Sequence, residues 1–112
     1  MQEDNKLLSV AMEIILHSGD SRNFIQEAIK AAKTFNFDES YSCLDQARKE
    51  IVLAHQSQTS VVQNEARGER YEYSLLFNHA QDTLMTVMSE LNTSKALIEF
   101  AELLNNKIEN RK

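Results

Sequence analysis

From Leu7 to Phe35, apolar or small residues fall at Leu7, Ala11, Ile14, Ser18, Ser21, Ile25, Ala28, Ala32 and Phe35, at alternating intervals of four and three. Only a helix turning every 3.6 residues brings such positions onto one face, and an alternation this long is the seam of a helix packed against other helices. The chain does little to interrupt it: 112 residues contain no proline and two glycines, Gly19 and Gly68. Ala, Leu, Glu, Lys and Gln, all good helix formers, are plentiful. A sheet would ask for β-branched and aromatic runs between turn clusters. The weak point is His17-Ser18-Gly19-Asp20, but the spacing keeps its phase across it. One helix over about 4–35 is therefore expected, with Gly19 the place for any kink.

A joint at Thr34-Phe35-Asn36 follows. Asn36 suits an N-cap, and Glu39 stands where a capping box places its acid. The second helix is expected over about 37–66, on a seam of Leu44, Ala47, Ile51, Ala54, Gln58 and Val61. Its middle, His55-Gln56-Ser57-Gln58-Thr59-Ser60, has no apolar side chain, and Gln58 falls on the seam itself. A polar group there costs stability unless it finds partners. It is either a device that fixes register or oligomeric state or the polar wall of a site. Gly68 suits a C-terminal cap and Ser74 an N-cap, so the third helix is expected over about 75–107. Phe77, Ala80, Leu84, Val87, Leu91, Ile98, Ala101 and Ile108 form one stripe; Leu75, Asp82, Met85, Ser89, Ala96 and Leu103 form a second. Two stripes on one helix suit its own bundle on one side and another subunit on the other. The expected architecture is all-α: a single domain over 1–112, an antiparallel up-down-up three-helix bundle. A chain this short gains from oligomerising, because much of its apolar surface stays uncovered.

Charge and composition narrow the function. The formal net charge is −5 and the signs alternate along the chain, which argues against a nucleic-acid partner. A lone cysteine, Cys43, rules out an internal disulfide and reads as a partly buried side chain rather than a nucleophile. No segment has the length and hydropathy to span a bilayer, and no basic-then-apolar leader follows Met1. A cytoplasmic protein is expected.

Glycine-rich phosphate loops, the His-Glu-x-x-His zinc motif and paired-cysteine metal motifs are all missing from the sequence. What remains is Asn78-His79-Ala80-Gln81-Asp82-Thr83-Leu84-Met85-Thr86. His79 and Asp82, three apart, share a helix face. A neutral imidazole is nucleophilic near pH 7, and its N–P bond is labile enough to pass a phosphoryl group on. Asp82 interrupts the second stripe; it either stays hydrated at a rim or meets copies of itself around a cation. Folding back about the second joint sets His79 opposite about Val62, with Gln58 and Thr59 within a turn of it. His55 in the polar wall is a candidate supporting group; His17 reads as an ordinary, partly exposed histidine.

The string from His79 to Thr86 resembles the phosphorylation motif of the IIA component of the lactose/cellobiose (N,N'-diacetylchitobiose) class of the bacterial phosphoenolpyruvate-dependent sugar phosphotransferase system. The segments Glu13 to Arg22, Ala54 to Thr59 and Gln63 to Glu69 resemble that family's first helix, second helix and second joint, so the similarity covers roughly Leu8 to Leu104. Arg67 departs from it, standing where a small residue is usual, and the chain from Asn92 on follows it only loosely.

The resemblance implies a homotrimer of three-helix bundles. It implies that His79 is phosphorylated, on Nε2, by the histidine phosphocarrier protein, with Gln81 beside it. The group then passes to a cysteine of the cognate IIB component and on to a β-linked disaccharide entering through the membrane component IIC, the only membrane link. It further implies magnesium, one ion per trimer on the three-fold axis, held by Asp82. The chain is then a phosphotransferase component with a covalent phosphohistidine, not a free-standing enzyme. Ala80 leans the sugar towards cellobiose over lactose. The competing reading is a helical adaptor that binds partner helices and does no chemistry.

Overall fold

Two Schellman-type closures shape the chain into three helices. A computed structural model describes residues 2–112, with side chains from Lys6 onward; Met1 lies outside the described residues. The helices are α1, Gln2–Lys33; α2, Phe37–Ala66; and α3, Leu75–Asn110. At the end of α2 the amides of Gly68 and Glu69 bond back to Glu65 and Asn64, both at 3.0 Å, with Gly68 at φ +102°. At the end of α1 the amides of Phe35 and Asn36 bond back to Ala32 and Ala31 in the same pattern, but the left-handed position is held by Phe35, at φ 62°.

That turn corrects two expectations. The first helix stops at Lys33 rather than Phe35, and Phe35 leaves the seam to stand 64% exposed while Phe37 takes the core place. The capping box at Asn36 is half made. Asn36 Oδ1 accepts from the Glu39 amide at 3.3 Å, but the Asn36 amide is already spent on Ala31, and the Glu39 carboxylate accepts from Cys43 Sγ. Ser74 caps α3 as expected, its Oγ accepting from the Phe77 amide at 3.1 Å.

The seams pack as the spacing predicts. Leu7, Ala11, Ile14, Ile25 and Ala28 of α1 are buried against Leu44, Ala47, Ile51, Ala54 and Val61 of α2 and Phe77, Ala80, Leu84, Val87, Leu91 and Ile98 of α3. Serines join them where helices come close: Ser21 Oγ donates to Ala47 O at 2.9 Å and Ser40 Oγ to Ala28 O at 2.8 Å, across the α1–α2 contact. Gln58–Gln81 and Tyr41–Glu102 tie α2 antiparallel to α3, which gives the up-down-up order. Counting from the Arg22–Glu90 pair, α1 ends level with Ala101. Ile108, expected in the seam, lies beyond that end and is exposed. The second stripe of α3 is wholly on the surface of the single chain: Leu75, Asp82, Met85, Ser89, Ala96 and Leu103 are all exposed.

Tyr41 clamps the end of the bundle remote from His79. Its hydroxyl donates to Glu102 Oε1 at 2.9 Å, and burial, reinforced by that carboxylate, pushes the phenol up to about 12. The unfolded chain would lose this proton near pH 10. The clamp's stability is therefore fully present below pH 10 and lost as pH rises through about 12. Tyr41→Phe should cost about 1 kcal/mol at pH 8. The gap between the two proteins in urea unfolding should close as pH passes 10; a gap that stays constant would contradict the clamp.

Candidate functional site

Burial of Phe77, Ala80 and Leu84 fixes how α3 is rotated. At 100° per residue that rotation turns His79 and Asp82 outward, and both are exposed. Local bonds hold this stretch of helix: Thr83 Oγ1 donates to His79 O at 2.9 Å and Thr86 Oγ1 to Asp82 O at 2.8 Å. The His79 ring has no hydrogen-bond partner among the described residues, so both nitrogens are open to an incoming group. Asp82 makes no ion pair with Lys or Arg among them.

Gln81, two residues on from His79, ties this stretch of α3 to α2. It is half-buried, and its Oε1 accepts from Gln58 Nε2 at 3.0 Å. The polar residue on the α2 seam thus has its partner two residues from His79, which resolves its cost. His55 does not join that pair. It is exposed, with Nδ1 3.3 Å from Thr59 Oγ1 on its own helix.

Sequence reasoning passed over three features. A cleft of about 160 Å³, lined by Val61, Tyr71, Phe77, Asn78 and Gln81, lies between the end of α2 and the start of α3. Tyr71 orders its rim, its hydroxyl accepting from Asn64 Nδ2 and donating to Glu69 Oε2, each at 3.0 Å. Arg22 forms a fork with Glu90, Nε and Nη2 each 2.9 Å from a carboxylate oxygen. His17 is half-buried, its Nδ1 2.7 Å from Glu50 Oε2. The alternating seam gave no sign of the last two, because both lie off it. Cys43 is no activated nucleophile: burial, with Glu39 beside it, pushes its thiol up.

Comparison with known proteins fits this arrangement. Residues 9–102 match the family described as PTS system, Lactose/Cellobiose specific IIA subunit. The chain is 39% identical over 99 residues to the lichenan-specific phosphotransferase enzyme IIA component of Bacillus subtilis, covering 88% of this chain and 90% of that protein. The crystal structure of the PTS cellobiose-specific enzyme IIA from Bacillus anthracis superposes with a TM-score of 0.86 at 35% identity, over 90% of this chain and 93% of that one. The IIA(chitobiose) chain of an Escherichia coli complex with HPr gives 0.76 at 33% identity, over 88% and 96%. Both solved structures share this fold, and none of the helices described here is long and apolar enough to cross a membrane. The chain belongs to the lactose/cellobiose-specific IIA family of the sugar phosphotransferase system.

Proposed function

We propose that the chain carries a phosphoryl group on His79 between the histidine phosphocarrier protein and a IIB cysteine, in the cytoplasm, for uptake of a β-linked disaccharide. The observation that carries this reading is the open ring of His79 on a capped helix that a glutamine two residues on pins to its neighbour. The imidazole lone pair attacks the phosphorus of the carrier's phosphohistidine. One N–P bond forms as the other breaks, and the electron pair returns to the carrier's ring. The thiolate of IIB then attacks in turn, and His79 recovers its lone pair. The protein need supply only position and exposure, since both partners are other proteins that must reach the ring. The HPr complex of the chitobiose relative supports the first partner; a membrane component IIC would receive the sugar. Relatives named for lichenan and cellobiose support a β-glucoside, and lactose-specific relatives at up to 38% identity make lactose the alternative.

The same reading makes the active form a homotrimer, with α3 at its centre. The exposed stripe through Leu75, Met85 and Leu103 supports this. Asp82, on that stripe and without a cationic partner among the described residues, is a hard oxygen donor of the kind magnesium takes. One carboxylate per chain is too few for a site, so three chains would have to contribute. Asp82→Leu should remove the like charges and extend the stripe. Prepared free of zinc and held in magnesium buffer, the variant should stay trimeric and unfold at the same temperature with and without a strong chelator, whereas the parent should unfold earlier with it. A parent indifferent to chelator would remove Asp82 from the role of metal ligand.

Incubation with phosphoenolpyruvate, enzyme I and the histidine phosphocarrier protein, followed by intact mass, tests the central claim. One acid-labile phosphoryl adduct per chain is expected. Its absence would leave a helical adaptor that binds without chemistry.

A further inference from the structure

We propose that His17, Asp20 and Glu50 form a binding site for a divalent transition metal of the zinc class, bridging α1 to α2. This site does not depend on the phosphocarrier reading. His17 and Asp20 stand three residues apart on one face of α1, and Glu50 reaches them from α2. One potential ligand atom from each lies within 4.8 Å of the others, and all three residues are half-buried. An imidazole nitrogen with two carboxylate oxygens is a set that zinc accepts, leaving a fourth position for water. Magnesium, which wants six oxygens in a near-ideal octahedron, is poorly served by it.

The charge balance points the same way. His17 Nδ1 at 2.7 Å from Glu50 Oε2 would suffice to tie α1 to α2. It does not explain Asp20, which converges on the same spot and makes no ion pair with Lys or Arg among the described residues. Two carboxylates brought together with no fixed cation repel, and a divalent ion reverses that cost. On binding, the metal takes the place of the proton between Nδ1 and Glu50: a neutral ring keeps its proton by passing to the Nε2–H tautomer, and a charged ring releases one proton to solvent. The two ligand atoms then part to about 3.3 Å, the separation that bonds of about 2.0 Å impose in a tetrahedron.

Zinc chloride titrated by calorimetry into the chelator-stripped full chain tests the assignment. With magnesium in excess to fill the site at Asp82, one zinc ion per chain is expected. Affinity should fall at least about 10-fold in Asp20→Asn, Glu50→Gln and His17→Gln, and hold in His79→Gln and Asp82→Leu. Asp20→Asn is the decisive variant, because it leaves the His17–Glu50 pair intact and an ion pair alone would not notice it. Far-ultraviolet circular dichroism checks that each variant stays helical, and Glu50→Gln keeps an acceptor for His17. The proposal is overturned if zinc fails to bind, if Asp20→Asn binds it as the parent does, or if affinity is lost with His79→Gln instead.

Discussion

His79→Ala is expected to lose phosphoryl acceptance completely, with helicity close to that of the parent. The reasons for the two halves of that outcome are separate. His79 is the one member of its face with a nucleophilic nitrogen, and its ring is open to a partner. Its exposure means that no core contact depends on it, and alanine is the best helix former at such a place. Thr83 bonds to the backbone carbonyl of residue 79, which the substitution keeps. The intact-mass assay that shows one adduct on the parent should show none on the variant, at matched circular dichroism. An acid-labile adduct that survives His79→Ala would move the phosphoryl site elsewhere; His55, also exposed, would be the next residue to replace.

The parts of this structure that a periodic pattern can encode were legible in the sequence. The seams of α1 and α2, the first stripe of α3 as far as Ile98, and the Ser74 and Gly68 caps follow from side chains reading a 3.6-residue turn or supplying a local acceptor. The first joint was harder, because its closure depends on a phenylalanine adopting the left-handed conformation that glycine takes at the second. That residue pays a local strain of about 1 kcal/mol or more, and nothing in the run Thr34-Phe35-Asn36 announces it. Contacts between helices off the seam, Arg22 with Glu90 and His17 with Glu50, depend on how far each helix slides along its neighbour. Spacing within one helix carries no information on that slide. The Gln58–Gln81 pair lay between these cases: the misfit of Gln58 was visible, and its partner was set only once α2 and α3 were aligned.

The exposed stripe of α3 yields the other large effect. In the single chain Leu75 is 73%, Met85 57% and Leu103 60% exposed, spread over nearly eight turns of one helix face. A monomer would leave this apolar strip in water, while a trimer with α3 at its centre would cover it three times over. Met85→Glu places a carboxylate one turn from Asp82, and in the trimer it would bring three new like charges together out of water. Burying unpaired charges costs several kcal/mol each, far more than an exposed position contributes to the fold of one chain. Sedimentation equilibrium at micromolar concentration should give three chains for the parent and one for Met85→Glu, at unchanged helicity. The comparison also separates assembly from chemistry. If the variant monomer still gains a phosphoryl group, His79 works without the trimer. If it loses the group, residues of a neighbouring copy help to receive the carrier. A parent of monomer mass throughout that range, or a Met85→Glu protein that remains three chains, would show that the stripe is not the contact between copies.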